Sequence, residues 1–108
     1  MRALSSAAPL FAALGDETRL EIVDRLCSQG PQSITRLTDG TRVTRQAITK
    51  HLQALAAAGV ISSRREGRER IWQIQTKRLN EARRQLDRIS AHWDDALERL
   101  RATVEREA

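Results

Sequence analysis

Apolar positions along this chain recur at helical spacing, break for two short β-prone runs, and return to helical spacing until the end. The opening Ala7-Ala8-Pro9-Leu10-Phe11-Ala12-Ala13-Leu14 has the composition of a short signal-peptide core behind Arg2. A proline interrupts it, however, and it runs directly into a helix start at Asp16, so it reads as a first, core-packing helix. Asp16 suits an N-cap, and Glu17 places negative charge in the first turn of the next helix. Leu20, Val23, Leu26 and Cys27 then recur at helical spacing until Gly30-Pro31 ends the run. Ser33 can cap a short helix carrying Ile34 and Leu37, and Asp39-Gly40 makes a turn.

Thr44 caps the next predicted helix, which runs to about Ala58 and is closed by Gly59 at C′. Ala47, Ile48, Leu52 and Leu55 lie on one of its faces; Arg45, Gln46, Thr49, Lys50 and Gln53 lie on the opposite one. Val60-Ile61 and Ile71-Trp72-Gln73-Ile74 are the β-prone runs, joined by an arginine-rich segment with Gly67 at the expected hairpin tip. Trp72 and Ile74 share one strand face, with Ile71 on the other; the strand register stays open. From about Lys77 to Glu107 there is no Gly or Pro. Leu79, Leu86, Ile89, Trp93, Leu97, Leu100 and Val104 form a seam of nearly heptad period over ~30 residues, or ~45 Å of helix. So long an apolar stripe is fully buried only against a partner, and its own copy is the simplest one.

The 108 residues fit one domain spanning 1–108, with a helix-turn-helix at about 33–58, a hairpin at 60–75 and a terminal dimerisation helix at 77–107. Aromatics are only 3%, so aliphatic side chains carry the core and a mainly α fold is expected. One cysteine, Cys27, forbids an intrachain disulfide and fits a reducing cytoplasm. It sits beside Val23 and Leu26 as a small buried hydrophobe. No run approaches the ~18 apolar residues of a membrane span. Net charge is +5, and its location matters more than its size. Residues 42–70 hold seven basic side chains against two acidic ones, so the whole excess falls within this window. Such a localised patch is the electrostatic footprint of a polyanion partner.

In order, these elements read as a mainly α, winged helix-turn-helix with a two-stranded β-hairpin wing. A major groove about 12 Å wide admits one α-helix, and its occupant must present cationic and hydrogen-bonding side chains. Arg45, Gln46, Thr49 and Lys50 do so within two turns, with Gln53 one turn further and Arg42 just before the cap. Arginine pairs with guanine O6/N7 and glutamine with adenine N6/N7. Thr44 and the first backbone amides favour a phosphate. Arg64, Arg65, Arg68 and Arg70 on the wing reach the flanking backbone or minor groove. The expected partners are double-stranded operator DNA and a second copy of the chain, with no membrane and no cofactor.

The chain resembles the ArsR/SmtB family of small winged-helix repressors over residues 9–75. The resemblance rests on Leu14-Gly15-Asp16-Glu17-Thr18-Arg19-Leu20-Glu21-Ile22, on the run Val43 to Leu55, on Ala58-Gly59-Val60-Ile61 and on Gly67-Arg68-Glu69-Arg70. It implies a dimer built partly on the terminal helix, a recognition helix at 44–58, local repression and, often, release by an inducer that these residues do not name. It also implies DNA-reading roles for Thr44, Arg45, Gln46, Thr49 and Lys50, and wing roles for Arg64, Arg65, Arg68 and Arg70. Metal-sensing members carry a Cys-x-Cys pair before the recognition helix or paired Asp/His and His/Glu ligands on the terminal helix. Here Ile34 to Asp39 has no cysteine, and the terminal helix has a single histidine, His92, so a family branch without the usual metal ligands is expected.

For His92 the default reading is exposure beside the seam, because a zinc site needs three or four ligands. His51 lies between the reading face and the core face, where a phosphate contact and partial packing are both open. An enzyme finds little support: there is no Gly-x-Ser-x-Gly, no phosphate-binding glycine loop and no triad partner for either histidine. Two rivals to the DNA-binding repressor are a winged-helix protein–protein interaction module and a metal- or thiol-responsive sensor.

Overall fold

The computed structural model describes residues 2–107, with side-chain burial assigned from Ser5 onward; Met1 and Ala108, the ends of the expected 1–108 span, lie outside the described residues. Five helices and three strands follow one another as α1 (Arg2–Leu14), α2 (Glu17–Gln29), β1 (Gln32–Ser33), α3 (Ile34–Thr38), α4 (Arg45–Ala57), β2 (Ile61–Glu66), β3 (Glu69–Ile74) and α5 (Thr76–Glu107). The expected caps are present. Asp16 Oδ1 accepts the Arg19 N–H at 3.1 Å, Ser33 Oγ accepts that of Arg36 at 3.2 Å, and Thr44 Oγ1 accepts that of Ala47 at 3.1 Å. Each satisfies one of the amide donors that a helix start leaves open. The turn after α4 requires φ +79° at Gly59, a backbone state that a side chain disfavours.

The core joins every helix. Leu10 of α1, Ile22 and Leu26 of α2, Leu37 of α3, Ile48, Leu52 and Leu55 of α4, Val60, Ile61 and Ala82 are buried together. The buried stripe of α2 is Ile22 and Leu26, with Val23 packed beside them. Leu20 and Cys27, expected on that stripe, instead face outward: Leu20 is 52% exposed and the Cys27 thiol is exposed. They are seven residues apart, so two helical turns bring them back to one side, rotated away from Ile22 and Leu26.

The sheet has the order β1-β3-β2, all antiparallel. The hairpin is the expected wing. Its two-residue tip starts at Gly67, φ +64°, and among the described residues no other residue type takes positive φ, which matches a type II′ turn. The third strand is new: Gln32 pairs with Trp72 and Ser33 with Ile71. Two residues carry no periodicity to read, yet they tie the wing's inner strand directly to the cap of α3.

Three arginines lock the helices together through backbone carbonyls. Arg25 of α2 donates to the Arg36 and Leu37 carbonyls at the end of α3, at 2.7 and 2.9 Å. Arg19 of α2 reaches the Ala13 carbonyl of α1 at 3.5 Å. Arg78 of α5 donates to Ala58 O and Ser6 O at 3.0 Å each and to Glu81 Oε2 at 2.6 Å. The Arg78 bond holds the Glu81 carboxyl below the usual carboxylate range.

These contacts differ in what they contribute. Arg78→Ala removes three charge-assisted bonds around a half-buried guanidinium and is expected to lower unfolding free energy by ~1–3 kcal/mol. Arg101→Ala removes only an exposed pair to Glu105 and is expected to cost less than ~0.5 kcal/mol. Urea denaturation followed by circular dichroism, at one protein concentration, checks both; equal losses would contradict the anchoring role of Arg78.

Candidate nucleic-acid interface

Burial of Ile48, Leu52 and Leu55 sets the rotation of α4 about its own axis. The opposite face is therefore presented outward: Arg45, Gln46, Lys50 and Gln53 are exposed, as are Thr44 and Arg42 just before the helix. The side chains of Arg42, Arg45, Gln46, Lys50 and Gln53 have no hydrogen-bond or ion-pair partner among the described residues. Thr49 is different. It is half-buried, and its hydroxyl donates to the Arg45 carbonyl at 2.9 Å, so its proton is already engaged within the helix.

On the wing, the register sorts the arginines onto two faces. Arg65 lies opposite Arg70, on the same face as Ile61, Trp72 and Ile74. Arg64 lies opposite Ile71 on the reverse face, where it donates to Gln73 Oε1 and sits 3.7 Å from Glu66. The structure thus does not bring Arg64 together with the other wing arginines; a one-residue step along a strand reverses the face. Arg68 occupies the tip and is unpaired among the described residues, as is Arg65. Arg70 spends one donor on Ser63 Oγ at 2.8 Å. Between the wing, the start of α3 and the start of α4 lies a cleft of about 280 Å³ lined by Arg45, Arg65, Arg68, Glu69 and Arg70. Like charges placed opposite each other on a sheet repel, so this arrangement favours a bound anion.

His51 is drawn into the fold. Its Nδ1 accepts from Arg19 Nε at 3.1 Å, and Asp16 Oδ1 lies 3.9 Å away. This joins the middle of α4 to the start of α2 and settles the sequence's open choice in favour of packing. The Asp16 carboxyl is held below its ordinary range, chiefly by the Arg19 backbone N–H, with the positive field of the Arg19 guanidinium adding to it.

The seam on α5 divides in two. Leu79 is partly buried against the protomer's own core, and α1 packs on α5. Further along, Leu86, Ile89, Trp93, Leu97, Leu100 and Val104 are all exposed, Trp93 by 64%. At ~1.5 Å per residue this bare stripe runs ~27 Å along the helix. Among the described residues, no three His, Cys, Asp or Glu side chains gather as a metal site, and no helix is long and apolar enough to cross a membrane.

The helix-turn-helix domain family matches residues 14–64. The HTH-type transcriptional repressor SmtB of Mycobacterium tuberculosis is 31% identical over 94 residues, 87% of this chain and 67% of that protein. A solved ArsR-like transcriptional regulator from Rhodococcus sp. RHA1 superimposes with a TM-score of 0.77 at 41% identity, covering 93% of each chain. This chain belongs to the ArsR/SmtB family of transcriptional regulators. A further solved structure, the homodimeric winged helix-turn-helix DNA-binding domain of Mb0332 from Mycobacterium bovis, a possible ArsR-family transcriptional regulator, aligns at 26% identity over 85% of each chain, TM-score 0.66. Within the family fold, sequence reasoning missed Arg19, Arg25 and Arg78. Charge alone marks them as solvated; only their lengthwise reach to carbonyls of other helices shows otherwise.

The cap of α4 is open to direct test. Thr44→Ala is expected to lower stability by ~1 kcal/mol, while Thr44→Ser, which keeps the oxygen facing the Ala47 N–H, loses little. Thermal melts of the three proteins check this; equal destabilisation by Ala and Ser would assign the role to the methyl group.

Proposed function

We propose that this chain is a homodimeric repressor that acts in the cytoplasm on a pseudo-palindromic duplex operator. One observation carries the reading: the face of α4 that core packing turns outward carries unpaired Arg45, Gln46, Lys50 and Gln53, continuous with the free wing cations Arg65 and Arg68. In this reading α4 lies in the major groove. Gln46, Lys50 and Gln53 meet base edges, the Thr49 methyl adds apolar contact, and Arg42 and Thr44 meet the backbone at the helix start. Arg68 and the neighbouring wing arginines meet flanking phosphates.

The second copy covers the bare stripe of α5 from Leu86 to Val104. Charge supports an antiparallel pairing. Residues 77–88 carry Lys77, Arg78, Arg83, Arg84 and Arg88 against Glu81 and Asp87. Residues 94–107 carry Asp94, Asp95, Glu98, Glu105 and Glu107 against Arg99, Arg101 and Arg106. Antiparallel apposition sets the basic half of one helix beside the acidic half of the other. Two recognition helices related by a twofold axis then meet half-sites about 34 Å apart, one helical turn of DNA.

Selection from a random duplex pool identifies the operator for these tests. Affinity is expected to fall ~10³–10⁵-fold between 50 and 200 mM salt if about six to ten phosphates are contacted. Gln46→Ala is expected to cost ~1–3 kcal/mol and to relax preference at one base position, whereas Arg68→Ala weakens all sequences alike. A flat salt titration would instead support a protein-facing use of the same surface. The dimer is tested separately: Leu86→Glu with Leu100→Glu is expected to sediment as a monomer and to lose operator binding, and an intact dimer would contradict the α5 interface.

A further inference from the structure

From the cleft between wing and helix-turn-helix, we infer that Arg45, Arg65 and Arg70 together clamp a single DNA phosphodiester, making Arg45 a backbone anchor and not a base reader. This rests on the operator-binding reading above. The first turn of α4, where Arg45 sits, faces the cleft that Arg65 and Arg70 line from the wing. The register places Arg65 and Arg70 directly opposite each other on the inner face. Glu69 is the one carboxylate lining that cleft, so its arginines are far from neutralised. The Arg45 and Arg65 side chains have no partner among the described residues, and Arg70 uses one of its five N–H donors on Ser63.

The volume suits the ligand. The cleft of about 280 Å³ has room for a phosphate group with bridging waters. Arg45 lines the cleft from the first turn of α4, so the positive end of that helix adds to the field on an anion held there. The position of the clamp is mechanically defined, because β1 pins β3 to the cap of α3 through the Ser33–Ile71 and Gln32–Trp72 pairs. Wing and recognition helix therefore close on the backbone as one rigid jaw. Arg64, on the outer face with Gln73 and Glu66, stands outside it.

The test uses the full-length protein and a duplex selected from a random pool, read by fluorescence anisotropy. Arg45→Ala and Arg65→Ala are each expected to weaken binding about tenfold on every sequence and to lower the logarithmic salt slope by about one. Arg64→Ala is expected to change affinity less than twofold. The Arg45→Ala, Arg65→Ala double variant should lose less than the product of the two single losses, since both act on one phosphate. A duplex with a neutral methylphosphonate scanned through each position identifies that phosphate: at one position it should abolish the effect of both single variants. If Arg45→Ala instead changes preference at one base pair with the salt slope intact, or if the two losses multiply and respond to different methylphosphonates, the clamp is overturned while DNA binding stands. If the wild-type protein selects no duplex, the underlying reading fails with it. Inorganic pyrophosphate added to the protein alone is expected to bind no tighter than about millimolar; saturable micromolar binding would mark the cleft as a free-anion site and overturn the DNA assignment.

Discussion

What the recognition face presents to a partner follows from how α4 is rotated. Ile48, Leu52 and Leu55 are each at most 1% exposed, and they interdigitate with side chains from α1, α2, α3 and the sheet. A close-packed interior tolerates little rotation of a helix, because turning it by one position drives a polar side chain into the core. The buried stripe thus aims the opposite face. Gln46, Lys50 and Gln53 point outward because Ile48, Leu52 and Leu55 cannot. The Arg19–His51 bond reinforces this from the flank, and the Thr44 cap defines where the helix begins.

A second layer of organisation comes from long cationic side chains used as struts. Arg25, Arg19 and Arg78 each send a guanidinium to carbonyls of another helix, satisfying groups that helix ends leave open. Arg78 matters most for assembly, since it joins the start of α5 to the end of α4 and to α1. The direction in which the bare half of α5 leaves the body is set there. A chain this small, with extents of 67 × 30 × 21 Å, has a bare helical stripe about two-fifths as long as its longest dimension. That shape fits the proposed dimer, in which a second copy covers the stripe.

Much of the site was legible in one dimension. Helix caps, the amphipathic split of α4, the glycine at the wing tip and the concentration of positive charge in residues 42–70 are local signals, and all depend on chemistry within a few residues. What was misjudged turned on small angular differences. Leu20 and Cys27 have helical spacing relative to Val23 and Leu26, yet face solvent, because an apolar residue one position off the stripe lies ~100° around the helix. Leu79 continues the α5 seam in sequence, and it also packs against the protomer's own core.

By itself, then, the sequence determined the kind and order of elements, the face of α4 that meets water and the presence of a long stripe needing cover. These are set by periodicity and by backbone preferences that act locally. Tertiary structure alone decided which wing arginines share a face, because strand register reverses a side chain with every one-residue step. It also decided that β1 fastens the wing to the helix-turn-helix, that His51 turns inward to Arg19, and where the α5 stripe leaves the core. Each depends on residues far apart in the chain meeting in space, and no local pattern encodes that meeting.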